Sequence, residues 1–535
     1  MAEPGDRQPA GAPGPRGSTG GTTGGAPGGT PGGTTGGTTG GIPGQAPGGG
    51  WRLAALVAAP LLALATALAL PASFVGPDGT VEALSPAARA TVGMLVWMAV
   101  WWVTEAVPIE ATSLLPVAAF PLLGVAPLGD ALGPYASDVI FLFLGGFMLA
   151  AAMTRWGLDR RIAFATIGLA GTSPDRVIAG VMVATAFVSM WVSNSATAAM
   201  MVPIALSLIR LAGESAQARR FAVAMLLGVA WSASIGGLGS LIGSPPNGIV
   251  VRYVEQTWAR EISFAHWVGI GLPLVLVLLP LAWLLLTRVL FRHGLIELGG
   301  GRSLVQAARR ELGPMSRGEL ATLVAFGLAA VAWMLRPLLA GIEVAGLRPL
   351  AGLSDAGIAI CAALALFAWP VDARRRVFAL DWQSAVRLPW GVLLLFGGGL
   401  SLAAAFEANG VTRMLAAAAR SVGEIPDLAA FAGIVGASVF LSEMTSNTAQ
   451  VAATTPVLAA IAPALGVEPI HLVIASALGA SCAFMMPVGT PPNAIVFGTG
   501  HLTIWQMCRA GFWLNLIAIV VIVAHATVWL PWVLG

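Results

Sequence analysis

The chain has 535 residues, of which 57% are hydrophobic and only 10% charged, with a mean hydropathy of +0.83. A soluble domain carries about a quarter charged residues, so this composition excludes an ordinary globular enzyme and places the chain in a lipid bilayer. The net charge of +3 is small and every basic residue is Arg, which lends no support to nucleic-acid binding.

Residues 1–50 hold 20 of the 67 glycines in repeats such as Gly-Gly-Thr-Thr. They have too little apolar surface to offset the entropy of ordering, so a disordered Gly/Pro/Thr-rich tail is expected. The first apolar run begins at Trp51, too far along the chain to suit a secretory signal, and is read as mature structure. Further apolar segments follow as far as 509–534, and several exceed the roughly 20 residues that cross a hydrocarbon core. Val177–Ile209, Phe221–Val251 and Pro469–Cys508 contain no Asp, Glu, Lys or Arg at all. Pro and Gly interrupt many of the segments, and about eleven complete crossings are expected.

The stretch 292–318 is the most polar part of the interior and carries Arg302, Arg309, Arg310 and Arg317. The positive-inside bias makes it a cytoplasmic linker between an N-terminal membrane half, 51–291, and a C-terminal half, 319–535. The same bias puts the N-terminus inside, and Arg374, Arg375 and Arg376 beside it. Cys361, Cys482 and Cys508 stand singly, without disulfide or metal spacing, and read as packing residues.

The two halves repeat each other. Gly243-Ser-Pro-Pro-Asn-Gly-Ile-Val250 returns as Gly489-Thr-Pro-Pro-Asn-Ala-Ile-Val496, identical at six of eight positions. Upstream of each copy lies a second shared element, Ser189-x-x-x-Ser193-Asn194-Ser195-Ala196 and Ser442-x-x-x-Ser446-Asn447-Thr448-Ala449. Earlier still come Phe143-Leu144-Gly145-Gly146 and Leu395-Phe396-Gly397-Gly398. Three elements in the same order indicate duplication, and interruptions at matching positions of two halves point to a transporter's binding site at the bilayer midplane.

Each element has a physical role. Two prolines inside an apolar run remove backbone donors and free carbonyls that lipid cannot satisfy, so the break must line a polar cavity. Ser-Asn-Ser and Ser-Asn-Thr bring hydroxyls and an amide, and the half-helix that follows offers its positive N-terminal end. An anion and a hard cation can therefore lie side by side. The Gly-Gly elements head segments about as long as a re-entrant hairpin. Glu443 is the one acid in its apolar segment; it is either a hydrogen-bonded helix brace or a group coupled directly to transport. Glu105 and Glu110, near Trp97, Trp101 and Trp102, read as interfacial.

In these residues the sequence resembles the divalent anion:sodium symporter family of dicarboxylate, citrate and sulfate carriers. The matching stretches are 101–108 (Trp-Trp-Val-Thr-Glu-Ala-Val-Pro), 141–147, 190–198, 388–391 (Leu-Pro-Trp-Gly) and both Pro-Pro-Asn elements, spread over about 90–500. The resemblance implies an all-α polytopic protein of two inverted repeats, with about eleven transmembrane helices, two re-entrant helical hairpins and broken helices at the midplane. It also implies a homodimer in a bacterial plasma (inner) membrane, moving part of each protomer like an elevator. Carried over, Asn194, Ser195, Asn447, Thr448, Thr490 and Pro491 would contact a small anionic substrate. Ser189, Ser193, Asn194 and Gly243 would surround one sodium ion, and Ser442, Thr445, Ser446, Asn447 and Gly489 the other. Ser195 stands where the family usually has Thr, which bears on substrate preference. Family hairpins open to opposite sides; this sets a hairpin at 387–406 on the outer face and conflicts with the adjacent arginine cluster.

The leading expectation is uptake of a di- or tricarboxylate, of the succinate, malate and fumarate kind or citrate, with sodium ions as coupling ions and no cofactor. Without an Arg in the motifs, a divalent anion at low dielectric needs co-bound cations. The alternatives are a sodium-independent dicarboxylate exchanger, which should place fixed cations near the motifs, and a sodium:sulfate symporter of the same fold. A channel fits duplicated half-sites less well than alternating access does. An intramembrane enzyme lacks a catalytic set, since His266, His471 and His501 are isolated.

Overall fold

The computed structural model describes residues 49–534 apart from 77–79, 169–170, 172, 300, 344–346 and 421–424. The tail expected over 1–50 lies outside the described residues but for its last two. From Gly50 onward the chain forms one compact unit, mainly helical among the described residues, with two short antiparallel ribbons, β1 (Ser73–Val75) with β2 (Val81–Ala83) and β3 (Pro370–Asp372) with β4 (Val377–Phe378). Among the described residues ten helices are long and apolar enough to cross a membrane, which makes this a multi-pass membrane protein.

In chain order, α1 (Gly49–Ala69) and α2 (Pro86–Thr104) are joined by the β1–β2 ribbon. Short α3 (Ile109–Thr112), α4 (Leu115–Leu123) and α5 (Leu128–Leu132) lead to α6 (Asp138–Trp156) and α7 (Leu158–Ile167). Then come α8 (Pro174–Ser189), α9 (Asn194–Leu211), α10 (Ala216–Gly237), α11 (Pro245–Trp258) and α12 (Phe264–Leu284). The linker carries α13 (Gly301–Glu311). Beyond it lie α14 (Arg317–Ala340), α15 (Asp355–Ala368), α16 (Trp382–Val386), α17 (Trp390–Ala408) and α18 (Val411–Ala419). The chain closes with α19 (Asp427–Ser442), α20 (Asn447–Ile461), α21 (Pro469–Ala480), α22 (Pro491–Phe497), α23 (Ile504–Ala524) and α24 (Leu530–Leu534).

Side-chain contacts show which ends share a face. The start of α8 lies by the linker, because Asp175 pairs with Arg288 at 2.8 Å and with His293 at 2.8 Å. The far part of α9 returns there, since Pro203 and Ser207 border a cavity with Ala307, Glu311 and Leu312. So does the start of α10, where Arg220 donates to the Arg292 carbonyl at 3.2 Å. Helices α8 and α9 therefore form a re-entrant hairpin with its tip at 190–193. The mirror arrangement holds for α19 and α20. The end of α20 packs on α18, and Arg413 of α18 reaches Glu82 at 2.6 Å, beside the β1–β2 ribbon at the opposite face.

Two expectations are corrected here. The Gly-Gly elements do not head hairpins: they sit inside α6 and α17, each 19 residues long. Their glycines serve close packing instead. A Cβ on Gly145 would overlap Ala359 of α15, and one on Gly397 would overlap the Tyr135 ring. The Ser-Asn elements, expected to interrupt crossing helices, turn hairpins at their tips. With 390–408 a single crossing helix and not a hairpin, the conflict over Arg374–Arg376 disappears. That turn lies at the linker face, where Trp156 donates to the Ala379 carbonyl at 2.7 Å and Arg155 pairs with Asp381 at 2.6 Å.

The complete crossings are then α1, α2, the α3–α4 pair, α6, α10 with α11, α12, α14, α15, α17, α21 with α22, and α23. Among the described residues they number eleven, besides the two hairpins. The core lies at α10, 94% buried over its most apolar window, whereas α1 is only 11% buried and presents Leu to lipid. Helices from both sides of the linker interlock: α6 on α15, α11 on α20 and α21, and α22 on α9 and α10. Asp355 braces α12, α14 and α15, accepting from the Phe264 backbone N–H at 2.8 Å and pairing with Arg336 at 2.9 Å.

Candidate functional site

The two hairpin tips and the two Pro-Pro breaks meet at one cavity of about 970 Å³. Ser193, Asn194, Ser195, Gly243, Thr445, Ser446, Asn447, Thr448, Gly489, Thr490 and Pro491 all line it. Ser189 and Ser442 are fully buried just behind the wall. The residues that the resemblance implies for substrate and sodium are thus brought to one place.

Local sequence explains the geometry. Ser193 ends the first hairpin tip and caps α9 by accepting from the Ala196 N–H at 3.3 Å; Ser446 caps α20 in the same way. Prolines 245–246 and 491–492 occupy the first turns of α11 and α22, where their missing N–H groups cost nothing. Helices α9, α11 and α20 point positive N-terminal ends at the cavity, which favours an anion there.

Behind each tip lies an oxygen cluster. The Ser189 Oγ is 2.7 Å from Asn194 Oδ1 and 2.7 Å from the Ala233 carbonyl. Its one proton cannot serve both acceptors. The same corner of the Asn194 amide lies 3.1 Å from the Ala233 carbonyl and 3.3 Å from the Gly243 carbonyl. With oxygen at that corner, four oxygens converge as a hard cation requires; with the amide turned over, its two N–H groups donate among the same three partners and close the cage. Ser442 repeats the pattern, 2.6 Å from Asn447 Oδ1 and in contact with the Ala480 carbonyl. The carbonyls of Ala233 and Ala480 escape sequence reasoning because any residue type supplies one.

Not all candidate residues point into these clusters. Ser193 and Ser446 use their hydroxyls as helix caps, and Thr445 donates to the Leu441 carbonyl at 2.9 Å, bracing its own hairpin arm. The asparagines of the Pro-Pro-Asn motifs are structural. Asn247 donates to the carbonyls of Gly237 and Ser240 at 3.0 and 2.9 Å, and Asn493 to those of Ala483 and Met486 at 3.2 and 3.0 Å. Glu443 is a brace as well. Its carboxylate accepts from the backbone N–H groups of Phe484, Met485 and Met486 at 2.8, 2.9 and 2.8 Å and from Asn515 Nδ2 at 2.8 Å.

The cavity opens toward the linker face, where Trp51, Arg52, Glu105, Arg387 and Pro389 form its rim. Glu105, read from sequence as interfacial, ends α2 in a left-handed conformation with φ of 47° and faces Arg52 at 3.8 Å. The absence of cations near the motifs therefore holds along the sequence and not in space, since Arg52 and Arg387 share the cavity. No local pattern announces either one. Outside the crossings, Asp381 orients α16: burial raises its pKa, but the Ser384 N–H and hydroxyl and the Arg155 guanidinium outweigh that and hold it below the usual carboxylate range.

Re-entrant hairpins from opposite faces, meeting two broken helices around one solvent-accessible cavity, are the architecture of a secondary transporter. The sodium:sulfate symporter transmembrane region matches this chain over residues 52–535. The sodium-dependent dicarboxylate transporter SdcS of Staphylococcus aureus, in strains MSSA476 and NCTC 8325 alike, is 41% identical over 451 residues, covering 82% of this chain and 85% of that protein. The crystal structure of the Alcanivorax borkumensis YdaH transporter, described as having an unusual topology, shares the fold, with a TM-score of 0.56 at 13% identity over 90% of this chain and 98% of that one. The chain belongs to the sodium:sulfate symporter family, the divalent anion:sodium symporters its motifs resemble, and is a transporter rather than an enzyme.

Proposed function

We propose that the protein imports a dicarboxylate of the succinate, malate and fumarate kind, driven by sodium, across a bacterial plasma membrane. The observation that carries this reading is the pair of serine-centred oxygen clusters flanking a cavity ringed by helix N-termini. Asn194 and Asn447 turn an amide oxygen toward a sodium ion and an amide nitrogen toward a substrate carboxylate. Ser195, Thr448 and Thr490 add hydroxyl donors, and Pro491 shapes the wall. Sodium beside each tip offsets the charge of the dianion; Ser189 and Gly243 with the Ala233 carbonyl hold one ion, Ser442 and Gly489 with the Ala480 carbonyl the other. The cavity, open at the linker face, corresponds to the inward-facing state of an alternating-access cycle, run by a homodimer with elevator-type movement. The name of SdcS supports both the sodium and the dicarboxylate.

Uptake of labelled succinate, citrate and sulfate into proteoliposomes, under sodium, potassium or choline gradients, tests this reading. Succinate uptake in sodium alone is expected. Equal uptake in all three salts would favour exchange, with Arg387 and Arg52 as the fixed cations, and uptake of sulfate alone would reassign the substrate.

A further inference from the structure

The two half-sites share an oxygen pattern but differ in charge, and the difference lies at one position. Ser189-Met190 of the first hairpin tip aligns with Ser442-Glu443 of the second. Glu443 is only 3% exposed, and each of its four partners is an N–H donor. A shell made wholly of N–H donors, three on Oε1 and one on Oε2, favours the ionised carboxylate. It lies against Gly489, where an added Cβ would stand 3.1 Å from Glu443 Oε2. Met190 gives the first half-site no charge; its backbone carbonyl accepts from the Ser240 hydroxyl and its N–H goes to the Ala186 carbonyl.

Resting on the sodium-coupled reading above, we propose that Glu443 is the positioning and charge-setting residue of the second half-site. That half-site then takes its sodium ion without substrate. The first half-site, built of uncharged oxygens, completes its own only when the substrate's carboxylates are in place. Attraction between a buried carboxylate and a cation is strong at low dielectric. The three backbone donors it holds also fix 484–486 as a non-helical segment between α21 and α22, so that the Ala480 carbonyl and Gly489 are already disposed around Ser442.

The test uses the full-length purified protein and reads sodium-induced thermal stabilisation, first without and then with succinate. Glu443→Gln should raise the sodium midpoint measured without succinate by about tenfold or more, and Glu443→Asp, which keeps the charge, should return it to within about threefold of the natural protein. Ser442→Ala should abolish the succinate-free response. Ser189→Ala should keep it and instead raise the sodium needed for succinate to bind. A natural sodium midpoint in folded Glu443→Gln would make the residue a brace alone and overturn the proposal. Should that variant not fold, the serine pair decides: equal effects of Ser189→Ala and Ser442→Ala on the succinate-free response, or a loss confined to Ser189→Ala, overturns it. No sodium response in the natural protein, with or without succinate, would overturn the sodium-coupled reading itself.

Discussion

In the first half of the molecule α10 runs on to Gly237 before its Pro-Pro break, whereas in the second α21 stops at Ala480, three residues short of the equivalent point. The consequence falls on backbone donors. In the first break the N–H groups of Leu238 and Gly239 are taken by the carbonyls of Ile235 and Gly236, at 3.1 and 2.9 Å, within a helical turn. The equivalent donors in the second break, Phe484 and Met485, have left the helix and go to Glu443 at 2.8 and 2.9 Å. One geometry around Ser-Asn and Pro-Pro-Asn is thus reached in two ways: by continuing a helix, or by ending it early and satisfying the freed donors with a buried anion. The second way leaves a charge beside the site.

The largest expected effect separates the two directly. Glu443→Leu takes the acceptor from three backbone N–H groups and the Asn515 amide and should cost about 3–5 kcal/mol or prevent folding, whereas Met190→Leu, a change of shape alone, should cost less than about 1.5 kcal/mol. Thermal unfolding in detergent measures both, and similar losses would mean that the breaks are held alike. Next come the motif asparagines, which do the same work in each half. Asn247→Leu and Asn493→Leu each remove two amide N–H donors from buried carbonyls, of which those of Ser240 and Met486 keep a backbone donor, and should each destabilise by about 1–3 kcal/mol. A large effect in one half only would end the claim of structural equivalence.

A third substitution exploits a difference between the halves. Gly237 aligns with Ala483, yet a Cβ on Gly237 would stand 2.6 Å from Asn194 Oδ1. Gly237→Ala should therefore weaken the sodium response about tenfold or more, although alanine is native at the matching position. Unchanged sodium dependence would place the first ion away from Asn194. The smallest effect concerns the Arg155–Asp381 contact between the halves. The depressed pKa of Asp381 means that its contribution is complete above the ordinary carboxylate value of 3.8 and fades as pH falls below it. Asp381→Asn should lower the melting temperature slightly at neutral pH and make no difference once the carboxyl is protonated. A loss that persists in acid would show that packing, not charge, is responsible.

Much of this was legible without coordinates. Composition placed the chain in the bilayer, and matched interruptions in two halves marked Asn194, Asn447, Gly243 and Gly489, because a break in an apolar helix needs a polar reason. The assignment of hairpins was not legible. Gly145-Gly146 and Gly397-Gly398 read along the chain as the heads of hairpin-length segments, but their missing Cβ atoms admit Ala359, Ile242, Tyr135 and Ser113 from distant parts of the chain. Arg52 and Arg387, 335 positions apart, meet only at the cavity rim.

By itself the sequence determined that this chain crosses a membrane many times, that its halves repeat, and which short motifs hold polar atoms where lipid allows none. Those are consequences of local chemistry: hydropathy, removed backbone donors, side-chain oxygens. Only the tertiary structure decided that the Ser-Asn motifs turn hairpins from opposite faces, that the carbonyls of Ala233 and Ala480 complete the clusters, and that Glu443 is fully engaged. Each depends on which distant backbone groups arrive beside a side chain, and in a chain whose own helices satisfy most of their hydrogen bonds, packing alone settles that.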